Sequence, residues 1–283
     1  AQGRDAGDRG IHAGGAFSAV VPLVALYYSG RFSCDVENPT RIGQDLFVLS
    51  KGHAVAPLAS IYADLGAFDR SVLKYSRSVE SILNGHPGPL LPGVQISTGP
   101  EGHGMPVAQG FAVAGKTPPV FDVFCLTGDG ELQAGMIWEA AMYAGAKGLD
   151  NLCVIVDKNE GQLDNPKALQ FPMPDVDRRF ESFGWRACTV DGKGYEGILE
   201  ALRRFKSDPR DGRPTVIVSA TCKGWGAFSS FLCGHKVELP PELVAQELEL
   251  QHARRKARET QFLDLLKELS GSGETRAGQE LLR

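Results

Sequence analysis

Short, continuously apolar segments recur along this chain of 283 residues and constrain its fold more than any other feature. The clearest lie at 120–127, 152–157 and 215–220, with shorter ones at 45–49 and 186–190. Segments with helical character separate them. Strands that are apolar along their whole length are typical of parallel sheets covered on both faces, and strands that alternate with helices indicate a doubly wound arrangement. We therefore predict an α/β fold with a doubly wound parallel sheet and helices on both faces.

Between these strands the sequence predicts helices and one long loop. The loop covers 82–106, which is rich in glycine and proline. Helices are predicted at 16–29, 56–66, 106–115, 131–146, 175–184 and 195–206. The segment 241–269 is highly charged and is also predicted to be helical, and 270–278 (SGSGETRAG) is predicted to be a flexible linker or tail. The predicted domains are therefore an α/β domain at 1–240 and a helical extension at 241–283.

Composition excludes several classes of function. The formal net charge is −4 and no basic patch with interleaved aromatic residues occurs, which argues against nucleic acid as a partner. No apolar run approaches the roughly 20 residues that a membrane-spanning helix needs, and the N-terminal residues lack a signal-peptide pattern. The sequence begins at Ala1 without Met, so a few residues are expected to precede it.

The six cysteines form no CxxC pair, and three of them lie within strand-like apolar runs. Reduced cysteines in the core of a cytoplasmic protein are therefore expected, rather than disulfides or a zinc site.

The strongest chemical signal joins the ends of two successive strands. Gly128-Asp129-Gly130 follows one predicted strand, and Asn159 follows the next, thirty residues after Asp129. Ligands of doubly wound sheets bind at the carboxyl ends of the strands. A carboxylate and an amide oxygen are hard ligands that suit Mg²⁺, which commonly also binds phosphate oxygens. A helix that starts at Glu131 would point its N–H groups at such an anion. A Gly-Asp-Gly turn alone is weak evidence, because a capping Asp in a tight turn is common, but the added Asn makes the pattern much more specific.

This pair of signals resembles the thiamine diphosphate motif, and the chain from about residue 10 to 240 resembles the N-terminal half of transketolases, especially the two-gene form. Family counterparts are SGHPGG, FVLSKGHA, GHP, TGPLGQG and GDGELQEGQVWE. The matching segments here are IHAGG at 11–15, FVLSKGHA at 47–54, GHP at 85–87, TGPEGHG at 98–104, GDGELQAGMIWE at 128–139 and VDKN at 156–159.

The resemblance implies a site for thiamine diphosphate and Mg²⁺. The metal would be bound by Asp129, Asn159 and the backbone carbonyl of Gly161. The family's pattern also implies that Gly99, Pro100 and Glu101 line the aminopyrimidine and thiazolium rings. The other residues predicted to contact the cofactor are His53, His103, Gly128, Gly130, Glu131, Asn159 and His235.

Histidines close to glycines in loops are the candidate catalytic residues. An isolated histidine is usually a surface or core residue, and His252 in the charged helix fits that interpretation. His53 and His86 lie beside glycine and His12 lies two residues from Gly10 and Gly14, and loops of this kind often carry function. Imidazoles titrate near neutral pH and can move protons at a carbonyl oxygen or hydroxyl. The resemblance adds His235 to this catalytic set, whereas for His103 a structural and a functional role remain equally open.

The chain also departs from the family near the expected cofactor. Glu101 stands where the family usually has an apolar residue, and His103 stands where it has Gln. Ala134 replaces a Glu that links the two active sites of the family's dimer, and Ala13 replaces a Pro. These differences favour a specialised donor or acceptor over ordinary pentose phosphate exchange. An unusual sugar, or an intermediate presented on a carrier protein, would fit this expectation.

The resemblance predicts transfer of a two-carbon ketol unit from a ketose donor to an aldehyde or specialised acceptor. Two alternatives remain open. One is a pyruvate-using acyl transferase or decarboxylase subunit of the 2-oxoacid dehydrogenase type, which the histidine motifs and GDGELQ argue against. The other is a scaffold subunit without catalytic activity, which the Asp129–Asn159 pair argues against.

A partner polypeptide is expected as well. In the transketolase family, a second α/β domain supplies a glutamate and an aromatic wall for the aminopyrimidine ring. The residues after about 240 read as a charged helix and tail rather than as such a domain. The sequence therefore predicts that a C-terminal transketolase-like subunit completes the site in an α₂β₂ assembly. The small-residue segment 140–145 would suit close packing between subunits or within the core.

Overall fold

The structure is a computed structural model that describes residues 12–78, 80–162, 170–226, 234 and 240–271. The chain divides into two compact units, Ala1–Val237 and Glu238–Arg283. Among the residues described, no helix is both long and apolar enough to cross a membrane. Five cysteines fall within these ranges and none is in a disulfide; Cys233 lies outside them.

One five-stranded parallel sheet organises the first unit. Its strands are β1 (Leu46–Leu49), β2 (Val123–Gly128), β3 (Leu152–Lys158), β4 (Arg186–Asp191) and β5 (Thr215–Ala220). The spatial order is β1-β2-β3-β5-β4, and every neighbouring pair is parallel. The register sets Gly128 beside Asp157 and Asp157 beside Ser219. The ends of β1, β2 and β3, where the sequence motifs lie, therefore share one edge of the sheet.

Helices cover both faces of this sheet, as predicted for a doubly wound fold. The helices are α1 (Ala13–Phe17), α2 (Val20–Tyr28), α3 (Val55–Asp64), α4 (Gly104–Ala114), α5 (Gly135–Ala146), α6 (Val176–Glu181), α7 (Glu196–Ser207) and, in the second unit, α8 (Pro241–Gly271).

Alternate strand residues separate the two cores. Leu126 and Ile155 pack with α2, α3 and α7 in one core, and Cys125 and Val154 pack with α4, α5 and α6 in the other. Because successive strand residues point to opposite faces, both sets must be apolar, which explains the continuous apolar runs.

The single helix predicted at 16–29 is wrong, because two helices occupy this segment. The break falls at Ser18 and Ala19. Pro22 has no N–H with which to bond the carbonyl of Ser18, four residues earlier, so a continuous helix would lose this bond. The Ser18 hydroxyl lies within donating distance of two acceptors, the Gly15 carbonyl oxygen at 3.2 Å and Asp157 Oδ2 at 2.7 Å.

The predicted helix at 131–146 also begins later than expected. A short 3₁₀ helix, Gly130–Gln133, follows β2, and α5 begins only at Gly135. No α-helical N-terminus therefore lies at Glu131. The strand predicted from residue 120 begins at Val123, and the predicted tail at 270–278 starts as the last two residues of α8, Ser270 and Gly271. The residues after Gly271 lie outside the described part of the chain.

Partly buried ion pairs lie at the opposite edge of the sheet, where β1 and β2 begin. Lys206 Nζ on α7 donates to Asp45 Oδ2 at 2.7 Å and to Asp122 Oδ2 at 2.6 Å. Arg210 Nη2 donates to both oxygens of Asp122, at 2.9 and 3.0 Å. The Asp122 backbone N–H donates to Asp45 Oδ1 at 3.0 Å. Two carboxylates are thus matched by two cations, which fastens α7 and the segment after it to the start of both strands.

Candidate active site

A cavity of about 370 Å³ opens at the edge where β1, β2 and β3 end. Each of these strands is followed by a turn that contributes to its wall, and His12 before α1 and Gly99 and Glu101 before α4 line it as well. The lining residues are His12, Ser50, Lys51, Gly52, His53, His86, Gly99, Glu101, Gly128, Asp129, Gly130, Glu131, Gln133, Asn159, Gly161, Gln162 and Lys223.

Asp129 and Asn159 both line this cavity, as the spacing of the motif predicts. Asp129 Oδ2 accepts the Glu160 N–H at 2.7 Å, and Asn159 Oδ1 accepts the Gly161 N–H at 3.1 Å. The first of these bonds connects the turns after β2 and β3 directly. Burial, and next the negative charge of Asp157, raise the pKa of the Asp129 carboxyl to about 6. A half-buried carboxylate whose charge is disfavoured by its surroundings would be stabilised by a bound cation.

Two lysines in the cavity wall are not among the site residues that the sequence predicts. Lys51 and Lys223 are 5% and 4% exposed. A Cβ on Gly161 would come within 2.6 Å of the Lys223 side chain, so glycine is what allows this lysine to approach the turn after β3. Lys51 directly precedes Gly52 and His53 in the SKGH segment, and this position in a predicted site motif indicates a cation in the site.

Lys51 is held by a buried polar network. Its ammonium forms an ion pair with Asp157 Oδ2 and donates to Ser18 Oγ at 3.1 Å. Ser18 Oγ in turn donates to Asp157 Oδ2 at 2.7 Å. Asp157 Oδ1 is buried and has no hydrogen-bond partner among the described residues. The network fixes the lysine stem beside Gly128, where a Cβ would lie 3.6 Å from Lys51 Cδ.

The cavity fits a diphosphate and a divalent cation by the chemistry of its wall. Its wall holds two lysines, the carboxylate of Asp129, the amide of Asn159 and two glycine turns, besides the carboxylates of Glu101 and Glu131. A Cβ on Gly130 would meet no atom within 4 Å, so the space beside this backbone is open to a ligand. No group of three or more His, Cys, Asp or Glu that could bind a metal occurs in the described ranges. Oxygen ligands from one carboxylate, one amide and backbone carbonyls would suit Mg²⁺ completed by phosphate and water.

Glu131 lies in the wall, but its contacts differ from the predicted role of its helix. Glu131 is 5% exposed, and its carboxylate accepts hydrogen bonds from Ser50, Gly102 and Gly128 rather than marking the start of an α-helix. The expected helix N-terminus at the cofactor is therefore absent from this turn.

Three of the predicted catalytic histidines line the cavity together. The rings of His12 and His53 meet edge to face, with centroids 5.5 Å apart. His86 packs over two glycines, because a Cβ would come within 2.8 Å of His86 Cδ2 at Gly52 and within 3.2 Å at Gly99. The three loops that carry these histidines thus converge above the strand ends.

Other predicted site residues are placed differently. Gly99 and Glu101 line the cavity, whereas Pro100 and His103 are exposed and do not. His103 Nδ1 lies 3.2 Å from the Glu101 carbonyl oxygen at the start of α4. His235 falls outside the described residues, and its role stays a prediction.

Comparison with known proteins decides the family. The profile described as the transketolase, thiamine diphosphate binding domain matches residues 6–246. The chain belongs to the transketolase family. Human transketolase is 37% identical to it over 212 residues, and one subunit of the apulose-4-phosphate transketolase from Phocaeicola vulgatus is 34% identical over 216 residues. The solved transketolase of Campylobacter jejuni superposes with a TM-score of 0.67 at 30% identity and covers 80% of this chain.

The fraction of each transketolase that aligns with this chain differs among them. The aligned region is 74% of this chain but 33% of the human protein, and the Campylobacter jejuni structure is covered over 39% of its length. The Phocaeicola vulgatus protein is covered over 76% of its own length by 76% of this chain. The shared part is the family's thiamine diphosphate binding domain.

Proposed function

We propose that this protein takes part in transketolase-type transfer of a two-carbon ketol unit from a ketose donor to an aldehyde or to a specialised acceptor. The observation that carries the proposal is the pairing of Asp129 and Asn159 at adjacent strand ends, facing a cavity that also holds Lys51 and Lys223. Membership of the transketolase family supports the same reaction class.

Thiamine diphosphate and Mg²⁺ are the proposed cofactors. The metal would be held by the side chains of Asp129 and Asn159 and by the Gly161 carbonyl, and Gly130, Lys51 and Lys223 in the cavity wall would bind the diphosphate. When bound, the cofactor supplies the electron sink for cleavage of a carbon–carbon bond, and the protein supplies binding, orientation and electrostatics.

The histidines are proposed to act on the substrate. His12, His53 and His86 line one wall of the cavity, within reach of a ligand that occupies it. A neutral imidazole can accept a proton from a donor hydroxyl, and the imidazolium can return it to an acceptor oxygen. Placing three histidines on three different loops would let them contact several hydroxyls of one sugar.

A second polypeptide is proposed to complete the site. The support is the likeness to the Phocaeicola vulgatus protein, which is named as one subunit of a transketolase and which this chain matches over three quarters of both lengths. The partner would carry the pyrimidine-binding domain, in an α₂β₂ assembly typical of paired sites. A cytoplasmic location is also proposed, in keeping with the five described cysteines that form no disulfide.

The decisive experiment measures product formation by the purified chain, with and without its co-expressed partner, in the presence of Mg²⁺ and thiamine diphosphate. The donor panel contains ketose phosphates, among them apulose-4-phosphate and xylulose-5-phosphate, and pyruvate. We expect turnover of a ketose phosphate only with the partner. Turnover of pyruvate alone would favour the oxoacid-type alternative, and no cofactor binding under any condition would favour a scaffold.

An acceptor attached to a carrier protein remains part of the proposal. Its support is that Glu101 lines the cavity where the family resemblance implies an apolar residue, a difference that favours a specialised acceptor. Supplying free aldehydes and carrier-bound acceptors in parallel, with the best donor fixed, would separate the two kinds of acceptor.

A further inference from the structure

Glu131, in the turn after β2, bonds the turn after β1, the loop before α4 and the end of β2 through one buried carboxylate. Ser50 Oγ donates to Glu131 Oε2 at 2.6 Å, and the Gly102 N–H donates to the same oxygen at 2.9 Å. The Gly128 N–H donates to Oε1 at 2.8 Å. Ser50 follows β1, Gly102 belongs to the loop before α4, and Gly128 ends β2. The carboxylate therefore connects segments that are 81 and 29 residues away in sequence.

Each of these contacts lies next to residues that form the wall of the cavity. Lys51, Gly52 and His53 follow Ser50 directly, Glu101 directly precedes Gly102, and Asp129 directly follows Gly128. A displacement of any bonded residue would move its neighbour in the chain. The position of one side chain thus bears on a lysine, a histidine and the proposed metal ligand together.

The loops fit closely around this point. Gly102 has a φ of +82°, and a Cβ there would come within 2.5 Å of the Ala134 side chain. A Cβ on Gly104 would come equally close to Ser50. Glycine therefore allows the loop before α4 to approach both the turn after β1 and the start of α5, and Glu131 bonds the loop in that position.

A carboxylate is the group that these donors require. Two backbone N–H groups approach different oxygens, so both oxygens must accept. A glutamine has the same shape, but its NH₂ would face the Gly102 N–H in one orientation and the Gly128 N–H in the other. The substitution would leave one backbone donor opposed by another donor, and an unsatisfied buried donor is costly.

We propose that Glu131 is a positioning residue that preorganises the loops after β1, before α4 and after β2 for cofactor binding. The cofactor part of this inference rests on the proposed function, whereas the loop part rests on the contacts alone. The carboxylate holds Gly102 and Gly128 in the arrangement that a bound ligand needs, so ordering these loops is not deferred to the moment of binding.

The first test is amide hydrogen exchange of the full chain without cofactor. In Glu131→Gln we expect the amides of Gly102 and Gly128 to exchange at least about tenfold faster, the factor that corresponds to about 1.4 kcal/mol. Amides of β3 and β5 should keep their wild-type protection. The matched control is Glu196→Gln, an exposed glutamate on α7, which should change neither set.

Ser50→Ala provides a graded second variant. It removes one donor from Oε2 and leaves both backbone donors in place, so exchange at Gly102 and Gly128 should rise less than in Glu131→Gln. Unchanged exchange at both glycines in Glu131→Gln would overturn the inference. So would a uniform rise across the sheet, because that would assign Glu131 to the stability of the whole domain.

The second test measures the affinity for thiamine diphosphate with Mg²⁺ in the complex with the partner subunit. We expect the dissociation constant to rise at least about tenfold in Glu131→Gln, by the same free energy, and to stay unchanged in Glu196→Gln. Faster loop exchange with unchanged affinity would overturn the role in cofactor binding. If wild-type complex binds no cofactor, the proposed function fails, while the exchange experiment still decides whether Glu131 holds the loops.

Discussion

The two edges of the parallel sheet bury charged groups in opposite ways. Where β1 and β2 begin, the carboxylates of Asp45 and Asp122 are matched by Lys206 and Arg210. Where β2 and β3 end, Lys51 pairs with Asp157, but Asp129 is half-buried nearby, and its pKa rises to about 6 because burial and the charge of Asp157 disfavour ionisation. The first edge satisfies its own charges, whereas the second has a carboxylate that would gain from a cation.

This difference separates residues that support the fold from residues kept for a ligand. Buried charges in a folded protein are ordinarily paired, since an unpaired one costs free energy. A site that must bind a cation and an anion has to leave some groups incompletely compensated. Substitutions at the first edge should therefore lower stability, and substitutions at the second should lower binding or turnover.

The largest effect is expected for His86→Ala at the cavity. His86 is exposed and rests on Gly52 and Gly99, so its loss should leave the free energy of unfolding almost unchanged. Turnover of the preferred ketose donor should fall by about 10²–10⁴-fold, the usual contribution of a general acid–base group. Steady-state kinetics of the complex with its partner measures this.

His252→Ala, at an exposed histidine on α8, is the matched control. It should retain wild-type turnover. A His86→Ala enzyme that turns over its native donor at the wild-type rate would show that the histidine only covers the two glycines.

Lys206→Met should show the reverse pattern. It leaves Asp45 and Asp122 buried with less positive charge, and breaking such a pair should cost about 3 kcal/mol of unfolding free energy. Urea denaturation measures the loss. The dissociation constant for thiamine diphosphate, measured under conditions where the variant is folded, should stay unchanged. Lys74→Met at an exposed site is the control, and equal stability of both variants would contradict the proposed role of the first edge.

Asp129→Asn should sharpen the contrast through pH. Because the folded pKa of about 6 exceeds the unfolded value of 3.8, the stabilising contribution of this group is complete below about pH 3.8 and is lost as pH rises through 6. Without metal, the Asn variant should therefore be more stable than wild type at pH 7–8, by on the order of 1–3 kcal/mol, and no more stable near pH 4. Urea unfolding across this range tests the sign.

Added Mg²⁺ and thiamine diphosphate should reverse that order. Wild type should gain stability by mass action on the folded state, and Asp129→Asn should gain little because it has lost the carboxylate ligand. An Asn variant that is destabilised without metal and binds cofactor normally would refute both the electrostatic argument and the proposed metal site.

Sequence alone predicted most of the fold because the strands have a purely local signature. The strand bounds predicted from the apolar runs lie within three residues of those in the structure. The Gly-Asp-Gly turn and Asn159 lie at the same edge of the sheet, as the sequence predicts. The sequence does not predict the helix break at Ser18, although Pro22 is a signal for it. Residues 19–26 around Pro22 form one apolar run, which favours a single continuous helix.

Long-range polar contacts were the part that the sequence could not predict. Lys51 pairs with Asp157 across 106 residues, and Glu131 bonds Ser50 across 81. Neither contact has a local pattern, since each depends on how strands are ordered in the sheet. Lys51 nevertheless lies two residues before His53 in the SKGH segment, and a cation at this position is a local signal for a residue of the site.

The smallest predicted effect concerns Glu101, for which the resemblance implies an apolar residue in the family. It is exposed and lines the cavity beside Gly102, which Glu131 holds in place. Because an exposed carboxylate is screened by water, its influence on a bound ligand should be modest. We expect Glu101→Leu to change the ratio of kcat/KM between two ketose donors by up to about tenfold, or 1.4 kcal/mol, with unfolding free energy unchanged.

The informative control is Glu101→Gln, which keeps the shape and removes the charge. If the two variants shift donor preference alike, the charge is what matters; if only Leu shifts it, the polar contact is. An unchanged donor ratio and pH–rate profile in both variants would place Glu101 among the cavity-edge residues that serve neither stability nor ligand choice.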